Sequence, residues 1–196
     1  MTPSALLHLR TWLPTDLHEP FSAWCDDHHR EQLNVPGIMR ARRFEYIDGT
    51  VDDPPQFLTM YEVESLDVYE SAAYLELRAT ASVLPEFLTG HLRVVRRDCT
   101  IEAAIPAAWW PPLHTDHLEE FHLNDDGLID DLRSVSASTI EGLDTDVVIR
   151  VLTSGSDSTF ALFDHGADES GLIDTIAHVT GATRSSWRCV FDESAP

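Results

Sequence analysis

Residues 24–46 read WCDDHHREQLNVPGIMRARRFEY and combine the end of a helix, a break and the start of a strand. Before the break, apolar side chains recur at the spacing i, i+3, i+4 and i+7, which places them on one helix face. His28 is the polar residue on that face, and the same spacing turns His29 toward solvent. The Pro-Gly pair at 36–37 ends the helix, and alternation over 38–47 predicts a strand. The residues that share the helix face are Phe21, Trp24, Cys25 and His28.

The rest of the first half supplies the elements of a split βαβ unit. Alternation predicts strands at 5–12, 56–63 and 91–102. Ser65 caps a second helix that begins near Leu66. Together with a first helix at about 17–33 and the strand at 38–47, the order is β-α-β-β-α-β. That order is typical of the ferredoxin-like arrangement, in which two helices cover one face of an antiparallel sheet.

A similar plan recurs after a Pro- and Trp-rich breaker at 105–112. The sequence therefore predicts the α+β class, with two tandem ferredoxin-like (βαββαβ) repeats at 1–104 and 113–196, the second degenerate. Such a chain could build an α+β barrel by itself. The predicted elements of the second repeat are strands at 114–123, 146–153, 159–164 and 184–191 and helices at 125–138 and 168–180.

The composition limits the partners of this 196-residue protein. Its net charge of −21 argues against binding to nucleic acid or to an anionic membrane, since both favour a basic surface. A small-molecule ligand is the expected partner, and whether the chain also forms a homodimer stays open. Three widely spaced cysteines form no disulfide framework, the N-terminus lacks the features of a signal peptide, and no stretch could span a bilayer. A cytoplasmic protein is the expectation.

Several runs resemble the dimeric α+β barrel superfamily, and within it the EthD-like proteins. The matching positions are Trp24, Asp27-His28, Val35-Pro36-Gly37, Ala41-Arg42-Arg43-Phe44 and the stretch LTMYEVES at 58–65. The resemblance covers about the first half of the chain. It implies that two sheets pack face to face into a barrel and that the histidine of the motif faces a cavity between helix and sheet. Members of this group include cofactor-free oxygenases, polyketide cyclases, lyases and proteins with no known activity.

His28 is the first candidate for chemistry, because burial on an apolar helix face keeps an imidazole neutral and able to act as a base. Tyr61 could donate a hydrogen bond to a developing oxyanion, and Arg43 could polarise a substrate oxygen. The alternatives are structural. His28 could be a core histidine, Tyr61 a packing residue, and Arg43 the partner of Glu45, Glu62 or an acid on the helix.

Three further residues are candidates for substrate binding. Trp24 would shape the pocket beside His28. His8 and Arg10 share one face of the first strand, where they would either line a cavity or meet solvent at a sheet edge.

Cofactor and metal motifs are weak or absent. No nucleotide-binding or common hydrolase motif occurs, so we expect no cofactor. His114, His117 and His122 are suitable ligand types, but a strand would put His114 and His117 on opposite faces, and no metal site is predicted. His178 resembles the proximal ligand of haem proteins built from tandem ferredoxin-like repeats, yet nothing around it supports haem.

The sequence thus favours a cofactor-independent enzyme that acts on a small apolar or aromatic molecule in a helix–sheet cavity. His28 would serve as general base or acid in cyclase, dehydratase or isomerase chemistry, since proton transfer needs only such groups. The alternative is a non-catalytic protein of the same fold that binds a small molecule or serves in assembly.

Overall fold

A computed structural model describes residues 1–80, 84–105, 110, 116–123, 148–155, 158–165 and 183–195. These residues form eight β-strands and two α-helices, joined in places by single 3₁₀ turns. In chain order they are β1 (Ala5–Trp12), α1 (His18–Gln32), β2 (Ile38–Gly49), β3 (Phe57–Val63), α2 (Ala72–Thr80), β4 (Arg93–Ile105), β5 (His117–Leu123), β6 (Val148–Ser154), β7 (Ser158–His165) and β8 (Thr183–Ser194).

The strands close into one antiparallel barrel in the order β1-β3-β2-β8-β5-β7-β6-β4. The four strands of the first half are contiguous in this order, as β4-β1-β3-β2. Those of the second half are contiguous as β8-β5-β7-β6. In both halves, the spatial order is therefore the fourth strand, then the first, the third and the second. The two sheets join where β2 pairs with β8 and where β4 pairs with β6. The protein is therefore an α+β protein whose barrel is built by both halves of one chain.

Every strand contributes to an apolar cluster inside the barrel. Trp187 and Phe44 are its largest members, and both are fully buried. A barrel of eight strands has an interior just wide enough for side chains to fill. The cluster comprises Leu6, Phe44, Leu58, Met60, Cys99, Leu118, Leu152, Leu162 and Trp187.

Glu62 on β3 forms an ion-pair network within the same interior. Its Oε1 lies 2.7 Å from Nη2 of Arg42 and 2.6 Å from Nη1 of Arg150. All three side chains are at most 1% exposed. Because Arg150 lies on β6, which is not a neighbour of β3, this ion pair crosses the barrel and joins the two halves.

Glu120 on β5 makes the reciprocal connection to the first half. Its Oε1 lies 2.8 Å from Arg10 Nη2 and 3.1 Å from His8 Nε2, and both partners come from β1. Burial alone would raise the pKa of the Glu120 carboxyl, but His8, His122 and Arg10 together hold that pKa well below its ordinary value. Burial also lowers the pKa of His8. Glu120 is therefore a buried carboxylate stabilised by His8, His122 and Arg10.

The two helices cover the outer face of the first-half strands. A tight turn at Gly37 connects α1 to β2, with Ile38 N donating to Val35 O at 3.1 Å. Gly37 has φ of 93°, and a Cβ at this position would lie 2.5 Å from Val68 Cγ2. The turn therefore requires glycine for both conformation and space, as the break at 36–37 indicated.

The structure corrects the start of the second helix. Residues Leu66–Glu70 form a 3₁₀ turn, Ser71 is extended, and α2 begins at Ala72. Strand β4 also begins two residues later than expected and continues to Ile105. Neither α1 nor α2, the helices in the described part of the chain, is long and apolar enough to cross a membrane.

The four strands expected in the second half are all present, with ends displaced by at most three residues. The helices expected at 125–138 and 168–180 and most of the linker at 105–112 lie outside the described residues.

We expect Glu62→Gln to lower the free energy of unfolding by about 3–5 kcal/mol, because two buried guanidinium groups lose their carboxylate partner. Denaturant unfolding followed by circular dichroism would measure the change. Glu45→Gln is the matched control, since Glu45 pairs with Arg188 at an exposed position and should cost less than about 1 kcal/mol. Equal costs for the two variants would contradict the role given to the interior network.

Candidate functional site

A pocket of about 190 Å³ lies between α1 and the outer face of the first-half sheet. Its walls are mainly apolar and aromatic, and its polar groups come from α1, β3, α2 and β4. Apolar and aromatic lining residues include Leu7, Leu9, Phe21, Trp24, Leu92 and Val94. Polar lining residues include His28, His29, Gln32, Tyr61, Tyr74 and Arg96. An apolar pocket with a few convergent polar groups is the usual form of a small-molecule site.

His29 is a buried polar group of this pocket, with 1% of its surface exposed. Its Nδ1 shares a 2.6 Å hydrogen bond with the Tyr61 hydroxyl, while its Nε2 is buried without a hydrogen-bond partner among the described residues. Burial, aided by Arg43, His28 and Arg30, lowers the pKa of His29 well below 6.5. Burial raises the pKa of Tyr61 well above 10.0. Both groups are therefore neutral at pH 7.

His28 lines the same pocket from a more exposed position. Its ring stacks on Trp24 with centroids 5.0 Å apart and planes 13° apart, and Gln32 Nε2 donates to its Nε2 at 3.2 Å. The side chain is 24% exposed, and partial burial lowers its pKa. The structure thus brings His28, Trp24 and Tyr61 together as expected. Their catalytic and binding roles stay predictions.

The prediction that His29 faces solvent is wrong. The residues of α1 that are buried are Phe21, Cys25, His29 and Gln32. The buried face is therefore rotated about the helix axis toward His29, compared with the face predicted from the sequence. The pattern Phe21-Cys25-His29, at i, i+4 and i+8, is the signal that could have identified this residue. Trp24 and His28 lie at the edge of that face, where their rings stack on each other and line the pocket.

Arg43 lies beneath α1, buried but not among the residues that line the pocket. It donates to Asp26 Oδ1 at 2.7 Å and to the carbonyl oxygen of Ser22 at 3.1 Å. The ion pair with an acid on the helix, one of the alternatives considered from the sequence, is confirmed. Arg43 acts on the pocket through charge, since its guanidinium helps to keep His29 neutral.

The structure separates His8 and Arg10 from the pocket. Both point into the barrel toward Glu120, whereas Leu7 and Leu9, their neighbours on β1, face α1. Alternation along β1 established that the two residues share a face, but it could not say which face the helices cover. A ligand in the pocket would not reach either side chain.

The described part of the chain holds no group of three or more histidine, cysteine or acidic residues able to bind a metal. His117 and His122 lie on opposite faces of β5, because His122 contacts Glu120 in the interior while His117 stacks on His165 outside. His114 and His178 lie outside the described residues.

Compared by sequence, the chain matches no family model and no curated protein. Compared by structure, it is similar over its whole length to an anthrone oxidase-like protein, with a TM-score of 0.62, 8% identity and coverage of 94% of that chain. It is also similar to candidate monooxygenases from Fusobacterium nucleatum (TM-score 0.56, 12% identity, 99% of this chain and 96% of that chain) and Lactobacillus acidophilus (0.54, 7%, 100% and 97%). These likenesses show a shared α+β barrel fold.

We expect Tyr61→Phe to lower the free energy of unfolding by about 1–3 kcal/mol, because it leaves the buried Nδ1 of His29 without its partner. Tyr69→Phe is the matched control, since the buried Tyr69 hydroxyl has no hydrogen-bond partner among the described residues. Its removal should be close to neutral. Thermal and denaturant unfolding would measure the free energy of unfolding of both variants. A larger decrease for Tyr69→Phe than for Tyr61→Phe would contradict the stabilisation assigned to the His29–Tyr61 hydrogen bond.

Proposed function

We propose that this protein is a small-molecule enzyme that binds an aromatic, largely apolar molecule under α1 and transfers a proton at His29. The observation that carries the proposal is the His29–Tyr61 pair. One imidazole nitrogen is fixed by a hydrogen bond, the other is buried and unpaired among the described residues, and His29 lines an apolar pocket. An imidazole that is held in place and neutral at pH 7 can act as a general base.

The tautomer of His29 determines how the pair would act. When Nδ1–H donates to the Tyr61 oxygen, Nε2 carries a lone pair and can accept a proton, and the Tyr61 hydroxyl remains free to donate. Because the pKa of His29 is low, this base suits an acidic proton, such as that of a phenol or of a carbon activated by both a carbonyl and an aromatic ring. His28 and Trp24 would hold the ring of the substrate. His29 therefore takes the base role that the sequence gave to His28.

Proton removal alone supports cofactor-independent cyclase, dehydratase or isomerase chemistry. The names of the three structural neighbours favour a second version, in which molecular oxygen is a co-substrate. A substrate carbanion would add to O₂ at carbon, and the resulting hydroperoxide would lose water to leave a ketone, so that a methylene and O₂ give a carbonyl and H₂O. Both versions begin with the same proton transfer at His29.

The proposal also includes an EthD-like origin of the fold and a division of the chain into two ferredoxin-like repeats. The equal strand order of the two halves supports tandem ferredoxin-like repeats, with a boundary at 105–112. The motif residues around the Val35-Pro36-Gly37 turn support the EthD-like resemblance. In this arrangement the first repeat holds the pocket, and the second repeat completes the barrel that a partner chain would otherwise supply.

We expect His29→Asn to reduce turnover at least about 100-fold, because Asn keeps a polar group near the Nδ1 position but lacks a base at Nε2. Turnover of anthrone and of substituted phenols would be followed by mass spectrometry of products and by oxygen uptake. The exposed His91→Gln variant is the control and should retain full activity. Wild-type turnover by His29→Asn would exclude the base role, and binding without turnover of any compound would favour the non-catalytic alternative.

The pH profile gives a second test of the same base. His29 works in its neutral form, and its pKa lies well below 6.5, so the rate should stay level as the pH falls through 6.5 and decline only at lower pH. A profile that falls by half near pH 6.5 would instead indicate an exposed, unperturbed histidine.

A further inference from the structure

We propose that the pocket selects a single-ring phenol and excludes two- and three-ring aromatic molecules. This inference rests on the proposed function and names the substrate class of the same site. Three observations on the pocket carry it: its volume, the aromatic lining residues Trp24 and His28, and the polar atoms of His29 and Tyr61.

The volume limits the size of the ligand. The pocket measures about 190 Å³. An apolar protein cavity of roughly 150 Å³ accommodates benzene. The volume therefore suits one six-membered ring with one or two small substituents. We infer that the further rings of a three-ring anthrone are not accommodated, although the neighbouring structure described as anthrone oxidase-like shares the fold.

The aromatic residues of the wall favour an aromatic ligand. Trp24 and His28 both line the pocket, and their rings stack on each other with planes 13° apart. Phe21 lies beside Trp24, with ring centroids 6.2 Å apart. Aromatic rings gain offset-stacked and edge-to-face contacts in such surroundings beyond the apolar area that they bury.

The polar atoms specify a hydroxyl group. His29 Nε2 is buried without a partner among the described residues, and leaving a buried polar atom unpaired is unfavourable. In one tautomer of His29, Nε2 accepts a hydrogen bond while the Tyr61 hydroxyl is free to donate. In the other, Nε2–H donates. A phenolic hydroxyl can both donate and accept, so it satisfies either arrangement, whereas an ether oxygen can only accept.

The other wall residues do not favour a charged substituent. Arg96 lines the pocket from β4, but its Nε donates to Asp98 at 2.8 Å, which balances its charge. The Cys25 thiol also lines the pocket, and burial raises its pKa to about 12, so it stays neutral. A neutral phenol therefore matches the pocket better than an aromatic carboxylate.

Isothermal titration calorimetry of the full chain with phenol, anisole, 2-naphthol and anthrone would test the inference. Phenol and anisole differ by a methyl group that removes the donor proton, so they form a matched pair of ligands. We expect phenol to bind about tenfold more tightly than anisole, in line with one hydrogen bond. We expect 2-naphthol to bind at least tenfold more weakly than phenol, and anthrone to give no binding heat.

Two variants connect these results to the pocket. His29→Asn should weaken phenol binding to the level of anisole and leave anisole unchanged. Leu92→Ala widens the wall beside β4 and should admit 2-naphthol with an affinity close to that of phenol.

The outcomes separate this inference from the proposed function. Anthrone binding that is tighter than phenol binding and depends on His29 would overturn the single-ring inference and leave the proposed function standing. Equal binding of phenol and anisole would overturn the hydroxyl preference. The absence of any binding that depends on His29, for all four compounds, would overturn both the inference and the proposed function.

Discussion

Two carboxylates buried inside the barrel connect its halves by ion pairs, in addition to the strand pairing at the two seams. Glu62 from the first half binds Arg150 of the second, and Glu120 from the second half binds Arg10 of the first. Removing such charges from water is costly, so these ion pairs specify which strands face each other more than they add stability. The apolar cluster around Trp187 could tolerate other arrangements, whereas a carboxylate opposite a guanidinium could not. The buried charges therefore favour this pairing of the halves over others.

The filled interior explains why the pocket lies outside the barrel. Strand β3 alternates Met60 and Glu62 inward with Tyr61 outward, so adjacent residues serve the ion network and the pocket. Because side chains alternate along a strand, a shift of one residue in register would exchange the two sets. The same strand pairing therefore places Glu62 in the interior and Tyr61 in the pocket. A change of register would displace both side chains.

The sequence predicted local features well and spatial partners poorly. Alternation located the strands, and the break at 36–37 located the turn between α1 and β2, because both are set by neighbours along the chain. His29 was predicted to face solvent because four apolar positions do not fix the direction of the buried helix face to within one residue. The contact of Glu62 with Arg150 spans 88 residues and two non-adjacent strands, so no local pattern encodes it. The separation of Arg10 from the pocket likewise follows from which sheet face α1 covers.

In the part of the chain that the structure describes, the outer faces of the two half-barrels differ in polarity. On the second-half sheet, Glu119 is buried and accepts hydrogen bonds from Arg184 at 2.9 Å and from Ser186 at 2.6 Å. The outer face of the first-half sheet instead carries leucine and tyrosine side chains, which line the pocket. The second half still supports the pocket, because the ring of Phe191 on β8 packs 4.9 Å from that of His29. The first half alone would lack this ring contact, and we expect His29 to become more open to water. Burial keeps the base neutral, so the proposed chemistry of the first half depends on the second half being in place.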